Sequence, residues 1–195
     1  MKHEELINMK KSPAKRKRNT AAEEYEDFIR QANEGHDRLI PVICSIAMMH
    51  AELEECLAHH VAIAINRDQP ALGLVVVERM SLSQKLELYK KLVHKICAAD
   101  EAVAKHFAEM KSVVDKANTQ RNRTVHGDWH FHHIDDCYSR CTESERQDSI
   151  TLLELEQIID LHQQAIDSIY NFAIRFPMLK SPGPILDNIL GKNLC

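Results

Sequence analysis

The chain has 195 residues, 44% of them hydrophobic and 28% charged, which is typical of one globular domain with a single core. No apolar run reaches the roughly 20 residues that span a bilayer, and MKHEELINMKK lacks the apolar segment of a secretory signal, so we expect a cytoplasmic protein without membrane contact. Seven basic residues lie among positions 1–20, and the rest of a chain of net charge −4 is therefore acidic, which argues against nucleic-acid binding through a broad basic surface.

The N-terminal part of the chain reads as an arm followed by helices. Residues 1–19 are basic and poor in apolar side chains, which predicts a disordered arm. Thr20 and Glu23 match a capping box and predict a short helix that ends near Gly35. Apolar residues at three- and four-residue steps then predict a long helix from about Pro41 to Arg67.

Further helix signals follow in the rest of the chain. LGLVVVERM (72–80) is rich in β-branched residues, but an isolated strand would have no partner, so we interpret it as the lead into the next helix. The predicted N-caps of the remaining helices are Ser81 with Gln84, Asp100, and Thr151 with Glu154. The last helix is expected to end before Pro177.

These signals predict an all-α protein, an up-and-down bundle of four to five helices with a disordered basic N-terminal arm. The domain limits expected are 1–19 for the arm, 20–176 for the bundle, and 177–195 for a C-terminal linker with a short helical turn. The six cysteines are scattered, and three of them lie inside apolar helical patterns, which is typical of reduced thiols in a cytoplasmic protein.

The stretch RNRTVHGDWHFHH (121–133) carries the densest chemistry of the chain. The apolar line 103-107-110-114-117 continues to Arg121, so a guanidinium lies on the face that otherwise points to the core. Such a group must be paired or face a cavity. Asn122 and His126 are four residues apart and share a helical face, and Gly127 follows as a helix stop.

Arg121-Asn122-x-x-x-His126, at the end of a bundle helix, resembles the signature of the HEPN superfamily: an arginine, a polar residue that is often asparagine, and then a histidine. The resemblance covers roughly residues 40–176, although its specific part is the six-residue motif. It implies a metal-independent endoribonuclease of toxin or phage-defence type, without a cofactor. It also implies a homodimer with both motifs in one cleft, acting on RNA and regulated by an antitoxin or another protein.

The same resemblance assigns catalytic roles to three residues. Histidine titrates near neutral pH, so His126 would move a proton to or from the RNA 2′-hydroxyl. Arg121 would bind the phosphate and stabilise the charge of the transition state, and Asn122 would orient either group. The products would be a 2′,3′-cyclic phosphate and a 5′-hydroxyl. The alternative is a catalytically inactive bundle of the same kind that binds a nucleotide or another protein.

Three neighbouring residues are candidates for substrate binding. Arg123 is a second guanidinium, which leaves open which of the two arginines points inward. Trp129 or His130 would stack on, or contact, a base of the RNA.

His50 lies on the predicted long helix and is expected at a helix surface or boundary, without a chemical role.

A zinc site is the third alternative for this region. Cys137-x-x-x-Cys141 has a spacing found in zinc sites, but no second pair of ligands lies at a fixed distance. We therefore expect no metal and interpret the segment as a polar loop over the site. The potential ligands are His126, His130, His132, His133, Asp135, Asp136, Cys137 and Cys141.

Overall fold

A computed structural model gives the fold and describes residues 13–97, 100–132, 137–141 and 148–176. This part of the chain forms a helical bundle, as predicted, with a small antiparallel sheet at one end. Its elements are α1 (Pro13–Ile65), α2 (Pro70–Val77), α3 (Leu82–Ile96), α4 (Glu101–Val125), β1 (Asp128–His132), β2 (Cys137–Cys141), β3 (Asp148–Ile150) and α5 (Leu152–Arg175). None of the described helices is both long and apolar enough to cross a membrane.

Helix α1 differs from the two helices predicted for this region. It runs unbroken from Pro13, so it includes residues 13–19 of the predicted arm, and Thr20 lies inside the helix rather than at its cap. Proline is well tolerated in the first turn of a helix, and the Lys, Arg and Ala residues that follow are good helix formers. Residues 1–12 and the predicted C-terminal linker, 177–195, lie outside the described residues.

Gly35 and Pro41 lie within α1, although both were interpreted as its breakers. A Cβ at position 35 would lie 2.4 Å from ring atoms of Phe131, so the glycine provides room for close packing and does not end the helix. Tyr138 Oη donates a hydrogen bond of 2.9 Å to the Gly35 carbonyl. Pro41 removes one helical hydrogen bond, and packing of Leu39 and Ile46 on either side holds the helix together.

The predicted caps of the later helices are confirmed. Ser81 and Thr151 each form a complete capping box, and the Asp100 carboxylate accepts hydrogen bonds from the Ala102 and Val103 amides. The segment 72–80 contains no strand. It forms most of α2, a separate short helix whose Gly73 packs directly against the backbone of Ala62 in α1.

The sheet was missed by the sequence analysis, which interpreted this region as a loop. Its order is β1-β2-β3, with Trp129 opposite Arg140 and Tyr138 between Phe131 and Ile150. Side chains alternate between the faces of a strand, so Trp129 and Phe131 share one face. Both pack against the core, and this burial stabilises the hairpin.

The hydrophobic core consists of two clusters. The larger, which we call the main core, lies among α1, α3, α4 and α5 around Leu57, Tyr89 and Phe172. The smaller, which we call the sheet-end core, contains the five buried residues Leu39, Ile46, Tyr138, Leu155 and Ile158. The predicted functional motif lies between Ala117, which belongs to the main core, and Trp129, which packs on the sheet-end core.

Candidate functional site

Arg121, Asn122 and His126 come together at the C-terminal end of α4. Arg121 Nη1 donates a hydrogen bond of 3.0 Å to Asn122 Oδ1 and lies 3.3 Å from His126 Nε2. A guanidinium only donates hydrogen bonds, so His126 Nε2 is the acceptor and carries no proton in this arrangement. Asn122 and His126 are exposed, whereas Arg121 is half-buried. The trio therefore places a cation against an imidazole nitrogen whose lone pair faces the guanidinium.

The end of α4 explains why the three side chains meet. The helix ends at Val125, and His126 is its C-cap residue, so its side chain leaves the helix where Arg121 extends toward solvent. Trp129 Nε1 donates a hydrogen bond of 2.9 Å to the Thr124 carbonyl, one of the last carbonyls of the helix. This contact fixes the turn between α4 and β1 and with it the position of His126.

The two arginines point to different sides of α4. Arg121 follows the buried line of the helix, as predicted, and its Nε atom is buried. Arg123 is exposed and, with Trp129, lines a groove of about 860 Å³ between α4, the sheet and α5. His130 lies exposed on β1 and does not line the groove. The carboxyl groups of Glu154 and Asp160 also line the groove, so it is not uniformly basic.

Two histidines beneath Arg121 were not assigned to the site by the sequence analysis. His50 on α1 is 7% exposed, so its expected place at a surface or boundary is wrong, and His162 on α5 is completely buried. Their rings meet edge to face, with centroids 5.6 Å apart. The available signal was their position: each continues the apolar line of its helix, as Arg121 does.

Burial and the charge of Arg121 keep both rings neutral. Desolvation lowers the pKa of His50 to about 4, and the positive charges of Arg121 and Lys85 add to this effect, while Glu54 opposes it. The pKa of His162 is also lowered, mainly by burial, with a further contribution from Arg121. The guanidinium is thus close enough to both rings to act on their protonation.

The zinc alternative finds no support among the side chains that the structure describes. No three His, Cys, Asp or Glu side chains of that set lie close enough together to bind a metal ion. His133, Asp135 and Asp136 lie outside the described residues, as do the side chains of His132 and Cys141. The prediction that the segment binds no metal therefore stays a prediction.

Comparison with protein-family models, curated proteins and solved structures finds no match to this chain. The resemblance to the HEPN superfamily accordingly depends on the Arg121-Asn122-x-x-x-His126 motif and on its place at the end of a bundle helix.

Proposed function

We propose that the protein is a metal-independent endoribonuclease of the HEPN type, with Arg121, Asn122 and His126 as its catalytic residues. The observation that carries the proposal is the hydrogen-bonded trio at the end of α4, in which a half-buried guanidinium holds an exposed imidazole by its Nε2 atom. A cation beside an unprotonated imidazole nitrogen is the combination that RNA transesterification needs.

The chemistry follows from the properties of these groups. When Arg121 turns its N–H groups from His126 to the phosphate, His126 Nε2 is released and accepts the proton of an RNA 2′-hydroxyl. The 2′-oxygen forms a bond to the adjacent phosphorus while the bond to the 5′-oxygen breaks. Arg121 donates hydrogen bonds to the phosphate oxygens, where negative charge increases in the transition state. Asn122 Oδ1 orients the guanidinium through its 3.0 Å contact. The products are a 2′,3′-cyclic phosphate and a 5′-hydroxyl.

The proposal includes a homodimer. One chain offers a single imidazole at the trio, and the leaving 5′-oxygen also needs a proton donor. His126 of a second copy, in its protonated form, would supply that proton if the two sites faced one cleft. Sedimentation at several concentrations measures the assembly state, and a monomer at assay concentrations would contradict this part of the proposal.

The flanking groove is the proposed place for the RNA bases. Trp129 offers a partly exposed ring for stacking, and Arg123 offers a cation that contacts the backbone. The acidic side chains of the same groove oppose a long run of phosphates. We therefore propose recognition of a short single-stranded segment rather than of a duplex.

The test compares the wild type with the variants His126→Ala and His94→Ala. His94 is an exposed histidine on α3, distant in sequence from the trio, and serves as the matched control. Each protein is incubated with RNA in EDTA, and the ends of the products are identified. Cleavage to cyclic phosphates by the wild type and the control, absent in His126→Ala and on RNA with a 2′-O-methyl group at the cut site, is the expected result.

Two other outcomes would overturn the proposal in different ways. RNA or nucleotide binding without cleavage by the wild type would identify the inactive binding module instead. Cleavage that persists in His126→Ala would show that the trio is not the catalytic site.

A further inference from the structure

A layer of nitrogen-bearing side chains crosses the core and ends at Arg121, the half-buried member of the trio. It consists of His50 from α1, Arg121 from α4 and His162 from α5, and we call it the polar layer. On α1 it lies between Ile46 and Leu53, which belong to the sheet-end core and the main core, respectively. Burying polar side chains here weakens the core, so their presence calls for a role beyond packing.

The hydrogen bonding of His162 fixes which of its nitrogens bears the proton. Its Nδ1 lies 2.7 Å from the Ile158 carbonyl oxygen, which can only accept, so Nδ1 donates. In the neutral ring Nε2 is then an acceptor. Among the described residues, His162 Nε2, His50 Nδ1 and Arg121 Nε are all buried without a hydrogen-bond partner.

Two of these atoms complement each other. Arg121 Nε carries a hydrogen and can only donate, while His162 Nε2 can only accept in this tautomer. A buried donor and a buried acceptor left apart each cost about 1–3 kcal/mol, and Arg121 is close enough to His162 to lower its pKa, so a rotation of the guanidinium that pairs them is favoured. His50 packs edge-on against His162 at 5.6 Å and limits the movement of its ring.

We propose that His162 is a positioning residue for Arg121: its Nε2 accepts a hydrogen bond from Arg121 Nε and fixes the guanidinium from inside the core. The Nη1 group then points outward, where it donates to Asn122 and can exchange His126 for an incoming phosphate oxygen. This inference rests on the proposed function for the identity of that phosphate, but the contact itself does not depend on RNA cleavage. His50 supports the contact by holding the His162 ring.

The benefit for catalysis is that the guanidinium of Arg121 is already held in place before a phosphate binds. A free arginine side chain loses about 2 kcal/mol of rotamer entropy when it is immobilised on a ligand. A guanidinium held at its Nε edge by the core has already lost this freedom before a phosphate arrives. Small errors in the placement of catalytic groups reduce rates by about 100-fold, so positioning of this kind acts on kcat.

A direct test uses the wild-type protein labelled with ¹⁵N. A hydrogen bond between Arg121 Nε and His162 Nε2 joins two nitrogens and produces a scalar coupling between them. The spectra are recorded for the free protein and with inorganic phosphate, and Arg121→Lys identifies the arginine signal by its loss. A measurable coupling is expected, and no coupling in either sample would overturn the proposal whether or not the protein cleaves RNA.

A second test uses the matched variants His162→Gln and His162→Met. The two side chains are similar in size and unbranched, but only glutamine keeps an acceptor oxygen near the position of Nε2. We expect roughly 10- to 100-fold lower kcat in His162→Met with little change in KM, and recovery in His162→Gln. Equal activity in the two variants at equal thermal stability would overturn the proposal, and the coupling measurement decides it if His162→Met does not fold.

Discussion

The buried histidines make the stability of the fold depend on pH in a defined direction. The pKa of His50 falls to about 4 in the folded protein from 6.5, its ordinary value, and that of His162 falls as well. The unfolded chain therefore binds more protons than the folded chain between these values. The free energy of unfolding is therefore at its full value above about pH 6.5, where the rings are neutral in both states, and it decreases as the pH falls toward 4.

The size of the effect follows from the same values. For His50, the change from 6.5 to about 4 corresponds to about 3 kcal/mol of unfolding free energy. Most of this, about 2 kcal/mol, is lost between roughly pH 7 and roughly pH 4.5, and His162 adds to the loss with the same sign. The charged and titratable groups that act on the pKa of His50 are Arg121 on α4, Lys85 on α3, Glu54 on α1 and His162 on α5.

Urea unfolding followed by circular dichroism, at several pH values, measures this dependence. His50→Leu removes the titrating ring. Between about pH 7 and about pH 4.5, its free energy of unfolding should therefore fall by about 2 kcal/mol less than that of the wild type. His94→Leu, at an exposed position of α3, is the control and should follow the wild type. If His50→Leu and the wild type lose the same free energy, the ring is not held neutral by the fold and the reasoning is refuted.

Three further predictions concern the contacts that hold the fold together, and urea unfolding measures each. Gly73→Ala should cost about 1–3 kcal/mol because the new Cβ would lie 2.4 Å from the Ala62 carbonyl oxygen; an unchanged stability would mean that α2 moves freely. Tyr138→Phe should cost about 1–2 kcal/mol by removing the buried 2.9 Å hydrogen bond to Gly35, and a smaller loss would show that water replaces it. Thr151→Ala should cost about 1 kcal/mol through loss of the capping box of α5, and no loss would mean that the Glu154 carboxylate suffices.

The parts of the fold that were predictable are those set by neighbours in sequence. The capping boxes of Ser81 and Thr151 span three residues, so the sequence shows both partners at once. The approach of Arg121 to His126 was predictable for the same reason, because only five residues at the end of α4 separate them.

The predictions that were wrong concern features that depend on contacts between distant segments of the chain. Gly35 ends a helix in most contexts, but here the ring of Phe131 fills the space beside it. The strands gain their stability from packing of Trp129 and Phe131 on a core whose α1 members, Leu39 and Ile46 among them, lie far away in the chain. His50 resembled a boundary residue because the sequence does not show that α4 and α5 cover it.

The polar layer separates the two clusters of the core, and we expect them to open as two cooperative units. Opening the small sheet-end core exposes far less apolar surface than opening the main core. Because the side chains between the two clusters are polar, loss of one cluster removes few apolar contacts from the other. Backbone amides of the strands and of the first turns of α5 should then exchange with solvent through local opening, while those near Leu57 and Tyr89 exchange only on global unfolding. The trio lies at the end of α4 beside the sheet-end core, so we expect opening of that end to limit how long Arg121 and His126 stay together.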